Sequence, residues 1–254
     1  MKALLVMMLA GMVTAFAQAG DVYVAAAASL TDVMKALGPL YEKGHPEVKL
    51  VFVYGATGML RTQVLKGAPC DVFIGADRWF GGAPTNVGEV VRPDSVRVVA
   101  ANTLIAAANK NAVLKGDTLA AWLGAAKKIG IGNPASVPAG RYTKRLLEHE
   151  KLWEVSVPKC VQGTNVREVL LWLRQGVVDV GFVYGSDLVA ANDAQLLRLA
   201  EYAAPGGMAI ELAGGVVDNA KNPIEGRAFL DYLKTPEAVT VFERLGFVAA
   251  GKGQ

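Results

Sequence analysis

Residues 22–30 of this chain are Val22-Tyr23-Val24-Ala25-Ala26-Ala27-Ala28-Ser29-Leu30, an apolar run that passes into small residues. The β-branched start is typical of a buried strand over residues 22–27. Leu30, Val33, Met34 and Leu37 then recur at helical spacing and predict the buried face of a helix. A strand that leads through a turn of small residues into a helix is the unit of α/β folds with largely parallel sheets.

The same unit recurs along the chain and predicts two α/β lobes. Two extended apolar segments, residues 96–109 and 208–212, are suited to cross between the lobes, which places the first boundary near Asn102. Proline after a cap residue, as in Asn222-Pro223 and Thr235-Pro236, predicts that the chain ends with two helices. We expect lobe 1 to comprise residues 20–102 and 214–254, and lobe 2 residues 103–213. The further predicted strands are residues 48–54, 71–75, 128–132 and 178–184.

The first nineteen residues have the pattern of a cleavable export signal. Lys2 precedes an uncharged apolar run, residues 3–12, and Ala17-Gln18-Ala19 forms a small-x-small cleavage site. The apolar run is shorter than the ~20 residues that span a bilayer, so we expect a periplasmic mature chain without membrane insertion.

Charge and cysteine content exclude some classes of protein. The 254 residues include 26 Lys and Arg against 23 Asp and Glu, and no basic stripe with interleaved aromatic residues is present. We therefore expect no nucleic-acid partner. A single pair of cysteines, Cys70 and Cys160, is not a disulfide scaffold. Two free thiols are favoured over a bridge, although both remain open.

Four predicted strand-to-helix corners carry small or hydroxylic residues. The first amides of a helix have no internal acceptor and lie at the positive end of its dipole, so such a corner can bind an anion. Ordinary capping is the alternative: Ser29 with Asp32, and Asn165 with Glu168, each match a capping box. We expect Ser29 both to cap its helix and to contact the ligand. The corners are Ala28-Ser29-Leu30, Ala56-Thr57-Gly58, Pro138-Ala139-Gly140 and Asn165-Val166.

Other polar residues near these corners are candidates as well. Tyr184 ends a predicted strand and is either a donor in the cleft or an ordinary half-buried tyrosine. Three arginines flank the corners and are either anion partners or solvated surface charges: Arg78, Arg141 and Arg167.

Motifs for catalysis, cofactors and metals are absent from the sequence. Gly130-Ile131-Gly132-Asn133-Pro134-Ala135 fits a dinucleotide-binding pattern, but Pro134 and Pro138 interrupt the helix that this motif requires. His45 and His149 have no Cys or His at a metal-site spacing. No G-x-S-x-G elbow and no arguable pair of catalytic carboxylates is present. We expect neither an enzyme nor a resident cofactor.

At the corners the chain resembles the periplasmic molybdate-binding proteins of ABC importers. The resemblance rests on residues 26–32, 67–77, 132–140, 183–187 and 229–247, and so covers nearly the whole mature chain. It implies the two-lobed class II periplasmic-binding-protein fold, with two small mixed sheets flanked by helices and joined by a two-strand hinge. Thr57 departs from the serine that is usual in the family but keeps a hydroxyl donor, and residues 80–87 do not follow the family closely.

The resemblance also implies a ligand and a partner. The ligand is molybdate, and we expect tungstate to bind as well; the partner is the membrane permease of an ABC transporter, and the binding protein is a monomer. Another tetrahedral oxyanion such as sulfate, or a periplasmic hydrolase or transferase, remains as an alternative. The implied ligand donors are the hydroxyls and amides of Ser29 and Thr57, the amides of Ala139 and Val166, and the Tyr184 phenol.

Overall fold

The computed structural model describes residues 20–77 and 90–250. The predicted export signal, Arg78 and the Phe80 to Val87 stretch lie outside the described residues. The strands are β1 (Asp21–Ala27), β2 (Lys49–Gly55), β3 (Val72–Gly75), β4 (Arg97–Asn102), β5 (Leu104–Asn109), β6 (Ile129–Gly132), β7 (Cys160–Gly163), β8 (Val180–Tyr184), β9 (Leu196–Tyr202) and β10 (Ile210–Val216). The helices are α1 (Thr31–Gly44), α2 (Thr57–Leu65), α3 (Leu119–Ala125), α4 (Pro138–His149), α5 (Trp153–Ser156), α6 (Val166–Arg174), α7 (Gly185–Ala191), α8 (Pro223–Tyr232) and α9 (Pro236–Arg244).

The strands form two mixed five-stranded sheets, in the orders β2-β1-β3-β10-β4 and β7-β6-β8-β5-β9. In the first, β1 runs parallel to β2 and β3, whereas β10 is antiparallel to β3 and β4. In the second, β6 is parallel to β7 and β8, whereas β5 is antiparallel to β8 and β9. We call the first sheet with α1, α2, α8 and α9 the first lobe, and the second sheet with α3 to α7 the second lobe.

The chain passes twice between the sheets. β4 ends at Asn102 in the first sheet and β5 begins at Leu104 in the second, so the single residue Thr103 separates them. The return follows β9, and β10 joins the first sheet between β3 and β4. The predicted fold class, two mixed sheets flanked by helices, is confirmed.

The sequence-based prediction missed β7 and β9 and misplaced one crossing segment. β9 was not predicted, because its Leu, Arg, Ala and Glu residues have high helix propensity and only pairing with β5 makes this segment extended. The segment predicted as a crossing strand over residues 208–212 is strand only from Ile210 and continues to Val216, entirely within the first sheet. Both strands depend on partners far away in the sequence.

Helix caps and cysteines behave mostly as expected. The Asn165 side chain accepts from the amide of Glu168 at 3.1 Å, and the Thr235 hydroxyl accepts from Ala238 at 3.4 Å. Cys70 is buried and Cys160 half-buried; both are free thiols, and burial raises the pKa of each to about 11. None of the helices in the part of the chain that the structure describes is long and apolar enough to cross a membrane.

Candidate functional site

The four corners meet at one cavity between the lobes. β1 and β2 end at its first-lobe side, where Ala28 to Leu30 form a 3-10 turn before α1, and Thr57 opens α2. α4 and α6 begin at its second-lobe side. The cavity measures about 10 Å³, roughly the smallest volume that holds one water molecule, so the two lobes lie close together around it. All five predicted ligand residues line it: Ser29, Thr57, Ala139, Val166 and Tyr184.

Two buried hydroxyl groups at this cavity lack a hydrogen-bond partner among the described residues. They are Ser29 Oγ and Tyr184 Oη, and each side chain belongs to a residue only 1% exposed. Leaving a buried polar group unpaired costs about 1–3 kcal/mol. Because both hydroxyls belong to residues that line one cavity, they point to a ligand that accepts hydrogen bonds there.

The predicted capping role of Ser29 is wrong. Ser29 lies inside the 3-10 turn that precedes α1, and its hydroxyl makes no capping bond. The Thr31 hydroxyl instead donates to the carbonyl oxygen of Ala28 at 2.8 Å. Asp32, the other half of the predicted capping box, pairs with Arg167 at 2.7 Å. The extra turn of backbone therefore separates the Ser29 side chain from the helix start that it was expected to cap.

Thr57 supplies a fully buried hydroxyl on the same side of the cavity. Its Oγ1 accepts from the amide of Ala76 at 3.2 Å, which fixes the rotamer of the side chain. The hydroxyl hydrogen is still available, since a threonine hydroxyl is both a donor and an acceptor. Thr57 thus ties the end of β3 to the start of α2 and can donate to a ligand.

On the second-lobe side two of the candidate donors are backbone amides. Val166 is the first residue of α6 and Ala139 the second of α4, so neither amide has a carbonyl of a preceding turn to donate to. The Asn165 side chain accepts a hydrogen bond from the amide of Glu168, the third residue of α6. The amide of Val166 is therefore not capped by Asn165. Both helix starts direct positive dipole ends toward the cavity.

Tyr184 is the last residue of β8 and lines the cavity. Burial raises the pKa of its phenol well above 10, and the nearby Tyr142 and the carboxylate of Asp77 raise it further. The phenol is therefore neutral at physiological pH and can donate a hydrogen bond. Asp187 Oδ2 accepts from the Tyr184 amide at 2.9 Å and holds the corner between β8 and α7.

Neither described arginine candidate is a solvated surface charge. Arg141 Nη2 lies 3.3 Å from Asp77 Oδ2, and Arg167 Nε lies 2.8 Å from Asp187 Oδ1. Asp187 is fully buried, and this desolvation raises the pKa of its carboxyl to about 6 although Arg167 acts in the opposite direction. Each arginine is thus paired with a carboxylate, and the predicted ligand donors at the cavity are neutral groups.

Among the described residues, no group of three or more His, Cys, Asp or Glu side chains is placed to hold a metal ion. His45 Nδ1 lies 3.0 Å from the carbonyl oxygen of Tyr41, at the end of α1. The glycine pattern at residues 130–135 spans the end of β6 and a turn, and α4 begins only at Pro138.

Two mixed-sheet lobes that enclose a small cavity lined by buried neutral donors define a binding protein for a small solute. The chain belongs to the bacterial extracellular solute-binding protein family, whose sequence model matches residues 22–248. This membership confirms the resemblance drawn from the corners.

Curated relatives and solved structures agree with the assignment. The chain is 33% identical to a putative ABC transporter substrate-binding lipoprotein, YvgL, of Bacillus subtilis, over 89% of this chain and 85% of the relative. It is 31% identical to the molybdate-binding protein ModA of Escherichia coli, over 92% and 91%. These relatives are solute-binding proteins and not enzymes.

Two similar structures cover nearly the whole chain. One is the substrate-binding domain of a putative molybdenum ABC transporter from Clostridium difficile, at 30% identity and a TM-score of 0.68, over 91% of this chain and 99% of that one. The other is the periplasmic molybdate-binding protein of Azotobacter vinelandii, at 20% identity and a TM-score of 0.73, over 89% and 98%. The second shows the shared fold.

Proposed function

We propose that this protein captures molybdate, and also tungstate, between its lobes and delivers it to the membrane permease of an ABC importer. One observation carries the proposal: the unpartnered buried hydroxyls of Ser29 and Tyr184 belong to residues that line one small cavity. The 31% identical relative from Escherichia coli is named a molybdate-binding protein, and this supports molybdate as the oxyanion.

The donor set supports a fully ionised tetrahedral anion. The proposed contacts are hydroxyls, a neutral phenol and helix-start amides, all of which donate hydrogen bonds. A protonated phosphate would require one of these hydroxyls to accept a hydrogen bond and not donate one, and this loss of a donor disfavours it. Sulfate carries no proton either, so the donor set does not separate it from molybdate, and discrimination between them must come from the size of the donor cage.

The number of donors supports tight binding. Each hydrogen bond to a charged ligand contributes about 1.5–3 kcal/mol, and five or more of them exceed the cost of association. We propose as contacts the hydroxyls and amides of Ser29 and Thr57, the amides of Ala139 and Val166, and the Tyr184 phenol. Molybdenum enters as the oxyanion cargo, with no protein–metal bond and no resident cofactor.

The predicted export signal and the family support a proposal about the cellular setting. We propose that the mature chain begins near Gly20, works in the periplasm as a monomer, and closes on its ligand by a hinge motion between the lobes. Small-angle scattering with and without molybdate measures this closure directly, since the ligand should compact the protein.

A thermal-shift panel tests the function. Molybdate and tungstate should raise the melting temperature, because a ligand that binds only the folded state stabilises it by mass action. Sulfate and phosphate at the same concentration should raise it much less. Equal stabilisation by sulfate would refute the selectivity, and no stabilisation by any oxyanion would refute the function.

Replacement of Ser29 tests the site. Ser29→Ala should raise the Kd for molybdate about tenfold or more in titration calorimetry, because one hydrogen bond to the anion is lost. Ser156→Ala is the matched control: its hydroxyl is equally buried and also has no partner among the described residues, but Ser156 does not line the cavity. Equal molybdate affinities of the two variants would show that the Ser29 hydroxyl does not contact the ligand.

A further inference from the structure

Contacts across the cleft lie next to the predicted ligand donors. Gly58 directly follows Thr57, and its amide donates to the carbonyl oxygen of Ser136 on the second lobe at 3.1 Å. In the first turn of α4, Arg141 pairs with Asp77 of the first lobe at 3.3 Å. Each contact therefore holds the start of a helix at the cavity against the opposite lobe.

Arg167 makes the most extensive of these contacts. It directly follows Val166, whose amide is a predicted ligand donor. Its Nε lies 2.8 Å from Asp187 Oδ1 within the second lobe, and its Nη2 lies 2.7 Å from Asp32 Oδ2 of the first lobe. The same Nη2 donates to the carbonyl oxygen of Ser29 at 3.4 Å. One side chain thus joins two corners that lie on opposite sides of the cavity.

We infer that Arg167 is a positioning residue: it latches the lobes together in the closed form and sets the spacing between the Ser29 and Val166 corners. The inference rests on the proposed function, because it assumes that these corners hold the oxyanion. Asp187 anchors the guanidinium in the second lobe, and Asp32 receives it across the cleft. Since two carboxylates neutralise Arg167, it acts on the geometry of the site and not through charge on the ligand.

The latch is best tested by replacing Asp32, the first-lobe partner of Arg167. Replacement of Arg167 would leave the fully buried Asp187 carboxylate without its cation, which is strongly destabilising. Asp32 is 39% exposed, and Asp32→Asn keeps the Arg167–Asp187 pair intact. The latch forms only after closure, so its loss should speed ligand release and leave association unchanged.

The sign of the effect separates the latch from simple electrostatics. Removing a negative charge close to an anion site should by Coulomb's law tighten binding. Loss of the latch instead predicts that Asp32→Asn weakens molybdate binding about threefold to tenfold, through a faster dissociation rate in stopped flow. Asp193→Asn is the charge-matched control, because Asp193 pairs with Arg174 at 2.9 Å within the second lobe.

A measurement without ligand keeps the test independent of the proposed function. Spin labels at the exposed Lys35 on α1 and Leu171 on α6, with both cysteines replaced by alanine, report the distance between the lobes. Asp32→Asn should shift the distance distribution of the ligand-free protein toward longer, open distances, while its melting temperature stays unchanged. Asp193→Asn should alter neither the distances nor the release rate.

The outcomes separate the two proposals. If no oxyanion binds the wild type, the proposed function fails and the spin-label distances alone decide the latch. Unchanged distances in Asp32→Asn would overturn the latch, as would unchanged or tighter binding in a protein that does bind molybdate.

Discussion

Tyr184→Phe removes one hydroxyl group and keeps the shape of a residue that is 1% exposed. The phenol has no hydrogen-bond partner among the described residues, and Tyr184 lines the cavity. If the phenol donates to the oxyanion, its loss removes a hydrogen bond to a charged group, which is worth about 1.5–3 kcal/mol. The Kd for molybdate should therefore rise roughly 10- to 150-fold.

The same substitution should not destabilise the ligand-free protein. No partner loses a hydrogen bond when the phenol is removed, and an unpaired buried hydroxyl costs about 1–3 kcal/mol. The melting temperature without ligand should thus stay the same or rise, whereas the stabilisation by molybdate should shrink. Titration calorimetry and thermal melting together measure both effects.

Tyr41→Phe is the matched control for this experiment. Tyr41 is 2% exposed and its hydroxyl is likewise unpartnered among the described residues, but its ring stacks on His45 at a centroid distance of 4.0 Å, outside the cavity. Affinity should be unaffected in this variant. A Kd for Tyr184→Phe within threefold of the wild type, or an equal loss in Tyr41→Phe, would refute the assignment of the phenol as a ligand donor.

Three further predictions address neighbouring residues. Thr57→Val should weaken molybdate binding and also lower the free energy of unfolding in urea by about 1–3 kcal/mol, because the Ala76 amide loses its acceptor; full stability would argue against that bond. Gly58→Ala should weaken molybdate binding, because a Cβ at this position would lie 2.7 Å from the Ser136 carbonyl oxygen when the lobes are closed. If small-angle scattering showed that the variant still closes on molybdate as the wild type does, this reasoning would be wrong. Burial raises the pKa of the Asp187 carboxyl from 3.8 to about 6. The contribution of this carboxyl to the free energy of unfolding is therefore fully present below about pH 4 and is lost as the pH rises through 6. The melting temperature of Asp187→Asn should lack this decline between about pH 4 and 6.

The positions of the corners were predictable because their signals are local. A β-branched run, a turn of small residues and a periodic apolar stripe place the ends of β1 and β8 within two residues. Within each lobe, parallel strands bring such ends to one edge of the sheet, and the cavity that Ser29 and Tyr184 line lies between the edges of the two sheets.

What could not be predicted depends on contacts between distant segments. The extended conformation of β9 arises from pairing with β5. The pairing of Arg167 with Asp32 joins two lobes and has no sequence spacing to reveal it. Ser29 was misassigned as a cap because a 3-10 turn and a helix start share the same residue preferences, and only the backbone geometry distinguishes them.

The placement of β10 between β3 and β4 has a consequence for how the chain folds. The strands of the second sheet, β5 to β9, are contiguous in the sequence, whereas the first sheet is incomplete until Ile210–Val216 is available. β10 pairs Val216 with Val72, a contact between residues far apart in the chain, and such contacts form slowly because a long loop must be closed first. The second lobe can therefore assemble on its own, while the first lobe and the cavity must wait for the C-terminal part of the chain. A molecule interrupted before residue 210 would have half of a binding site and an unpaired β3 edge open to aggregation.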